Sequence, residues 1–331
     1  MAGSVAKPCP RRVTAPRAGL SHTGWRTPAL ARPDARRCNG RMAFPAFSKN
    51  DNMLIRIGYD IALALKGPTS VLGALHVHPA QAGALQAPEQ FAVEPPLPWT
   101  TYQDGFDNTI TRIDLPAGTD RLRLTNSAVI ATPDAPDAVQ PDARQHALDE
   151  LPPEMFRFLL PSRYCEVDSE LMAFAWAQFT SAPEGWARVQ AICDYVHGHL
   201  QFDYLQARAN RTALQGWQEG VGVCRDFAHL AVTLCRCMNI PARYVTGYLG
   251  DIGVPPVPLP MDFSAWFEAY LGGQWYTFDA RHNVPRIGRV VMARGRDATD
   301  AALTTSFGPA ILARFDVRCE EVDSVEVGEA A

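Results

Sequence analysis

One cysteine of this 331-residue chain stands where a thiol could be made nucleophilic. Cys224 follows the loop glycines Gly220 and Gly222. It opens a run in which Phe227, Leu230, Ala231, Leu234 and Met238 recur at three- and four-residue steps. That spacing predicts a helix that starts at or near Cys224 and ends before Pro241. A thiol at a helix start meets the positive end of the helix dipole and unpaired backbone N–H groups. Both favour thiolate and lower the pKa. The same amides could hold a developing oxyanion. A cysteine taken at random is better read as a buried packing residue; position is what sets this one apart.

Further along, a strand is expected over 242–249, then a loop with Pro255, Pro256, Pro258 and Pro260, then a hairpin closed by Gly272-Gly273. With the two glycines as the turn, Leu271 pairs with Gln274, Trp266 lies opposite Asp279, and Ser264 lies opposite Arg281. Ser264, Trp266, Glu268, Asp279 and Arg281 then share one face, with Asp279 diagonal to position 264.

Four segments in this order resemble the transglutaminase-like superfamily of papain-type cysteine enzymes. They are Gly222-Val223-Cys224-Arg225-Asp226-Phe227-Ala228-His229, Ile240-Pro241-Ala242-Arg243-Tyr244-Val245-Thr246-Gly247-Tyr248, Ala265-Trp266-Phe267-Glu268-Ala269-Tyr270 and Trp275-Tyr276-Thr277-Phe278-Asp279. The resemblance implies a Cys-His-Asp triad with Cys224 as nucleophile and Asp279 as orienting carboxylate, and it makes Trp266 a substrate contact. It also places a histidine directly before Ala265-Trp266, where this chain has Ser264. A serine hydroxyl has no pKa near neutrality and cannot take the thiol proton or protonate a leaving amine.

His282, three residues after Asp279, is the substitute base if the chain turns at Asn283 and Pro285; on a straight strand it would face away from Ser264. His229 lies roughly 140° round the helix from Cys224 and is expected to pack or cap. Glu268 would be a weak replacement. Two functions are therefore expected. One is acyl transfer from a protein or peptide amide through a Cys224 thioester, ending in hydrolysis or transfer to an amine, with activity weakened by Ser264. The alternative is a catalytically impaired relative that keeps a peptide- or protein-binding groove.

The elements that must position these residues read as α+β: an N-terminal antiparallel β domain followed by a papain-like transglutaminase core of helices packed on an antiparallel sheet. Alternation of Ile55, Ile57, Tyr59 and Ile61 with Arg56, Gly58 and Asp60 gives a half-buried strand. Short runs over 71–78, 105–115 and 121–132 complete a β domain at 53–130. Residues 131–153, rich in Ala, Pro and Asp, read as a linker. Helical stripes follow over 169–179 and 186–200, and the core with a last strand at 310–319 takes 154–319. Residues 320–331 form an acidic tail. His76 and His78 share a strand face without a third ligand and are expected at the surface.

Residues 1–50 carry ten Lys or Arg against the single acid Asp34, a net +9 that leaves −13 for residues 51–331 within the total of −4. So acidic a body argues against nucleic-acid backbone binding. The first 52 residues show no periodicity and read as a disordered basic extension, with Met42 or Met53 as an alternative start. No run of about 18 apolar residues occurs, so no membrane partner is expected. No zinc-type CxxC pair, phosphate loop or nucleotide motif appears, and 250–261 lacks an acidic calcium loop, so neither cofactor nor metal is expected. Eight cysteines without a secretion signal point to reduced thiols in the cytoplasm.

Overall fold

The computed structural model describes residues 52–258 and 260–323. The basic extension, apart from Asn52, and the end of the acidic tail lie outside the described residues. The first half is built of strands: β1 (Asn52–Leu65), β2 (Thr69–Gly73), β3 (Ala92–Glu94), β4 (Trp99–Gln103), β5 (Thr109–Leu115) and β6 (Arg121–Pro133), with the short helix α1 (Pro79–Ala82) between β2 and β3. The helical part follows: α2 (Glu170–Phe179), α3 (Trp186–His199), β7 (Gln201–Phe202), α4 (Ala213–Glu219), β8 (Val221–Gly222) and α5 (Cys224–Cys237). Then come β9 (Ala242–Tyr248), β10 (Ser264–Leu271), β11 (Gln274–Phe278), β12 (Val290–Gly295), β13 (Thr304–Phe307) and β14 (Ala310–Val322).

Two four-stranded sheets, ordered β14-β1-β6-β3 and β13-β2-β5-β4, carry the N-terminal half. The alternation in β1 sends Ile55, Ile57, Tyr59, Ile61 and Leu63 into a core shared with Val71, Ile113, Leu115, Leu122, Leu124 and Ile130. Tyr248, Phe263, Val290 and Met292 enter the same core, so the halves of the chain are welded by apolar contact rather than tethered. β14, expected within the core, pairs antiparallel with β1 along nearly its whole length, and β13 pairs with β2. β14 also runs through Glu320 and Glu321, the start of the expected acidic tail.

Residues 131–153 are docked rather than free: Asp137 binds Arg289, and the Ala143 carbonyl accepts from the Trp186 N–H at the start of α3. Gly185 adopts φ 90° there, and a Cβ on it would lie 2.3 Å from that carbonyl. The histidine expectation also changes. His78 is buried and caps α1 through Nδ1, while His76 binds Glu89 and Thr111. Among the described residues no cluster of metal-binding side chains occurs.

The third sheet, β11-β10-β9-β12, positions the site. Gly272 and Gly273 both take positive φ (56° and 88°), which closes the hairpin with Leu271 opposite Gln274 and Phe267 opposite Phe278. One face of β10 presents Phe267, Ala269 and Leu271 to α5, whose Phe227, Leu230, Ala231 and Leu234 are fully enclosed. The other face presents Ser264, Trp266 and Glu268.

Candidate active site

The start of α5 is set by a close fit between a glycine and an aspartate. Gly222 ends the small parallel pair β7–β8. A Cβ on Gly222 would lie 2.6 Å from the Asp226 Cβ, so only glycine lets Asp226 fold back beneath the turn. Asp226 Oδ2 accepts from the Val223 N–H at 2.9 Å and from Arg211 Nη1 at 2.9 Å. An acid bonded back to the N-cap amide fixes the first turn, and Cys224 is its first helical residue.

Cys224 is half-buried, and burial pushes its thiol up to about 11. The nearby Arg281 charge and the Ala265 amide pull it down, while Asp262 and Asp279 push it further up. The sequence argument from the helix dipole pointed to a lowered value. Taking the thiolate out of water is the largest influence on it.

Asp279 leaves β11 directly into a turn, and this turn brings His282 back. The Asn283 N–H donates to the Asp279 carbonyl at 2.7 Å, and Oδ1 accepts from the backbone N–H groups of Arg281 and His282. Oδ2 receives His282 Nδ1 at 2.9 Å and Arg289 Nη2 at 2.9 Å. Although burial alone would raise the Asp279 carboxyl, the His282 hydrogen bond and the Arg289 charge hold it well below the usual carboxylate range. With Nδ1 occupied, Nε2 is the imidazole nitrogen left for proton transfer.

His282 and Ser264 line one cleft of about 340 Å³ together with Tyr204, Asp262, Arg281 and Val254, Pro255, Val257, Pro260 and Met261 of the proline-rich loop; Cys224 is not among the residues that line it. The Arg281 guanidinium stacks 3.9 Å from the centre of the Phe202 ring. Trp266 does not join this group. It lies beneath Arg289, 4.8 Å from its guanidinium, against Val245 and Val291, and lines a second cavity behind the sheet. Nor do the other candidate bases join it. His229 is fully buried between Tyr164 and Tyr244, accepts the Ala298 N–H through Nε2, and is kept neutral well below its ordinary pKa by burial. Glu268 is paired with Arg243 and Arg294.

Sequence reasoning missed the Arg211–Asp226 pair, Arg289, and the Asp262 and Arg281 charges beside Cys224. Asp226 carried a signal, as an acid in the first turn of the helix. Arg211 and Arg289 carried none, because a lone arginine in a loop reads as solvated.

The model of the Transglutaminase-like superfamily matches residues 172–280, which contain α5, the hairpin and Asp279. The crystal structure of a "putative cysteine protease" from Cytophaga hutchinsonii is 31% identical and superposes with a TM-score of 0.71, over 82% of this chain and 92% of that one. An uncharacterized protein of Mycobacterium leprae is 28% identical over 209 residues, 61% of this chain and 73% of its own length.

Proposed function

We propose, from the premise that the chain belongs to the transglutaminase-like superfamily, a family of cysteine-dependent enzymes, that it transfers acyl groups from protein or peptide amides through Cys224. The observation that carries this reading is the Asp279–His282 pair, closed at 2.9 Å, with His282 on the wall of the cleft that Ser264 also lines. His282 would do the work that the resemblance assigns to position 264. Because burial keeps Cys224 a thiol at rest, the proton must leave as the bond forms. His282 Nε2 takes it while Sγ attacks the amide carbon. First-turn N–H groups of α5, unpaired within the helix, donate to the oxyanion. The imidazolium then protonates the departing amine and leaves a thioester. Water or a second amine attacks that thioester, with His282 again taking the proton, and the thiol is restored. Asp279 holds the imidazole tautomer and balances its charge.

The apolar loop lining the cleft supports an extended peptide as substrate. The described cysteines are all unpaired, which supports a reducing, cytoplasmic setting. Among the described residues no helix is long and apolar enough to cross a membrane.

The test is mass spectrometry of a peptide mixture containing glutamine and lysine. Cleaved, deamidated or cross-linked products should be absent with Cys224→Ala, and kcat/KM should fall about 10²–10⁴-fold with His282→Ala. Product formation by Cys224→Ala would end the proposal. The raised thiol and Ser264 favour a second reading, a peptide-binding relative. Saturable peptide binding without any product from the wild type would establish it.

A further inference from the structure

The sheet β14-β1-β6-β3 ends on an open strand. β14 is its outer member, 13 residues long, and among the described residues its backbone hydrogen-bonds to β1 alone. An edge of that length presents unpaired N–H and C=O groups to any strand that can lie beside it. Its two faces differ. Phe315, Val317 and Cys319 are half-buried and pack on the core beneath, while Arg314, Asp316, Arg318 and Glu320 stand exposed on the other face.

Charged side chains commonly guard an open edge, because like charges meet when a second copy approaches. Here the signs alternate, and the consequence reverses. When two β14 strands pair antiparallel about Val317, Arg314 faces the second copy's Glu320 and Asp316 faces its Arg318, each pair occurring twice. The neighbouring registers are repulsive. An axis at Asp316 sets that residue against itself and Arg314 against Arg318; an axis at Arg318 does the same with Arg318 and sets Asp316 against Glu320. On the core-side face the Val317 axis brings Phe315 to Cys319 and Val317 to its own copy, which covers apolar surface that the edge leaves half open. The β-bulge, where the register slips between Ala62 and Leu63, lies beyond Arg314 and outside the paired span. Within one copy Arg314 pairs with Asp60 and Asp316, and Glu320 with Arg56. All four β14 side chains are nevertheless at least half exposed, with donors and lone pairs to offer a second partner. We infer that the chain forms a two-fold dimer with a second copy of itself through β14, the two sheets running on as one.

Analytical ultracentrifugation of the full-length protein tests this. Association is the readout, so the outcome does not depend on the acyl-transfer reading. The wild type should show a monomer–dimer equilibrium whose dissociation constant rises with salt, since the ion pairs lie at the surface. Arg318→Glu sets acid against acid twice and Asp316→Arg sets base against base twice, so each should weaken the dimer about tenfold or more. Both side chains are exposed, so both variants should keep the wild-type melting temperature. Mixed together, the two variants restore opposite charges at every pair and should form a heterodimer about as tightly as the wild type. A wild type still monomeric at about 0.5 mM would overturn the inference. So would a dimer that Arg318→Glu leaves unchanged, which would place the contact on another surface, or a mixture of the two variants that associates no better than either alone.

Discussion

The sharpest quantitative consequence of the site is how slowly Cys224 should react at neutral pH. With the thiol pushed up to about 11, its thiolate share at pH 7 is about one in ten thousand, against about 3% for a free cysteine of pKa 8.5. That is a deficit of about 300-fold. A more basic thiolate is a better nucleophile, with a Brønsted slope of about 0.4–0.5, which returns roughly tenfold. Iodoacetamide should therefore alkylate Cys224 about 20–30 times more slowly than free cysteine at pH 7. The rate should climb tenfold per pH unit to beyond pH 10, read as peptide-level labelling with Cys224→Ala as blank. Ser264→His supplies the converse. Ser264 lines the cleft, and its neighbour Ala265 bonds the Cys224 sulfur through its amide, which puts position 264 within reach of the thiol. A cationic imidazole close to the sulfur should lower the midpoint by about 1–3 units. A wild-type rate already at plateau below pH 8.5 would refute the argument that burial is the largest influence on the thiol. A Ser264→His profile lying on the wild-type curve would refute the placement of position 264 beside the thiol.

Two further expectations concern the supports of the site. Asp279 is held below its ordinary pKa, so the stability it contributes is complete above the unfolded carboxyl value of about 3.9. It is lost as pH falls through the lower folded value. Asp279→Asn should destabilise by on the order of 3 kcal/mol at pH 7, with the gap to wild type in urea titrations narrowing below about pH 4; a gap that widens in acid contradicts this. Gly222→Ala drives a Cβ into the Asp226 side chain and should cost about 1–3 kcal/mol. The melting temperature would fall and iodoacetamide labelling of Cys224 would change as the first turn is displaced, whereas an unchanged melting temperature would rule out the close fit.

What could be foreseen in the sequence follows the range of the forces that decide it. The start of α5 at Cys224 and the pairing of Leu271 with Gln274 were legible because each is settled within a few residues: helical periodicity in one case, two adjacent glycines in the other. The return of β14 to β1 was not, since about 250 residues separate the partners and an exposed, alternating strand does not name the edge it will join. The docking of 131–153 was not legible for the same reason. Proline and aspartate there signal a break in regular structure, yet Asp137 docks on an arginine far along the chain. Position 282 lies between these extremes. Three residues after Asp279, its imidazole could have followed the strand outward, and the turn that reverses it is held by backbone amides folding onto the Asp279 carboxylate. That carboxylate is in turn fixed by Arg289, ten residues on, and Arg289 by Asp137, 152 residues before it. The placement of the proposed base therefore depends on a chain of buried ion pairs that no local pattern encodes. Single substitutions in that chain should reach His282 before they reach Cys224.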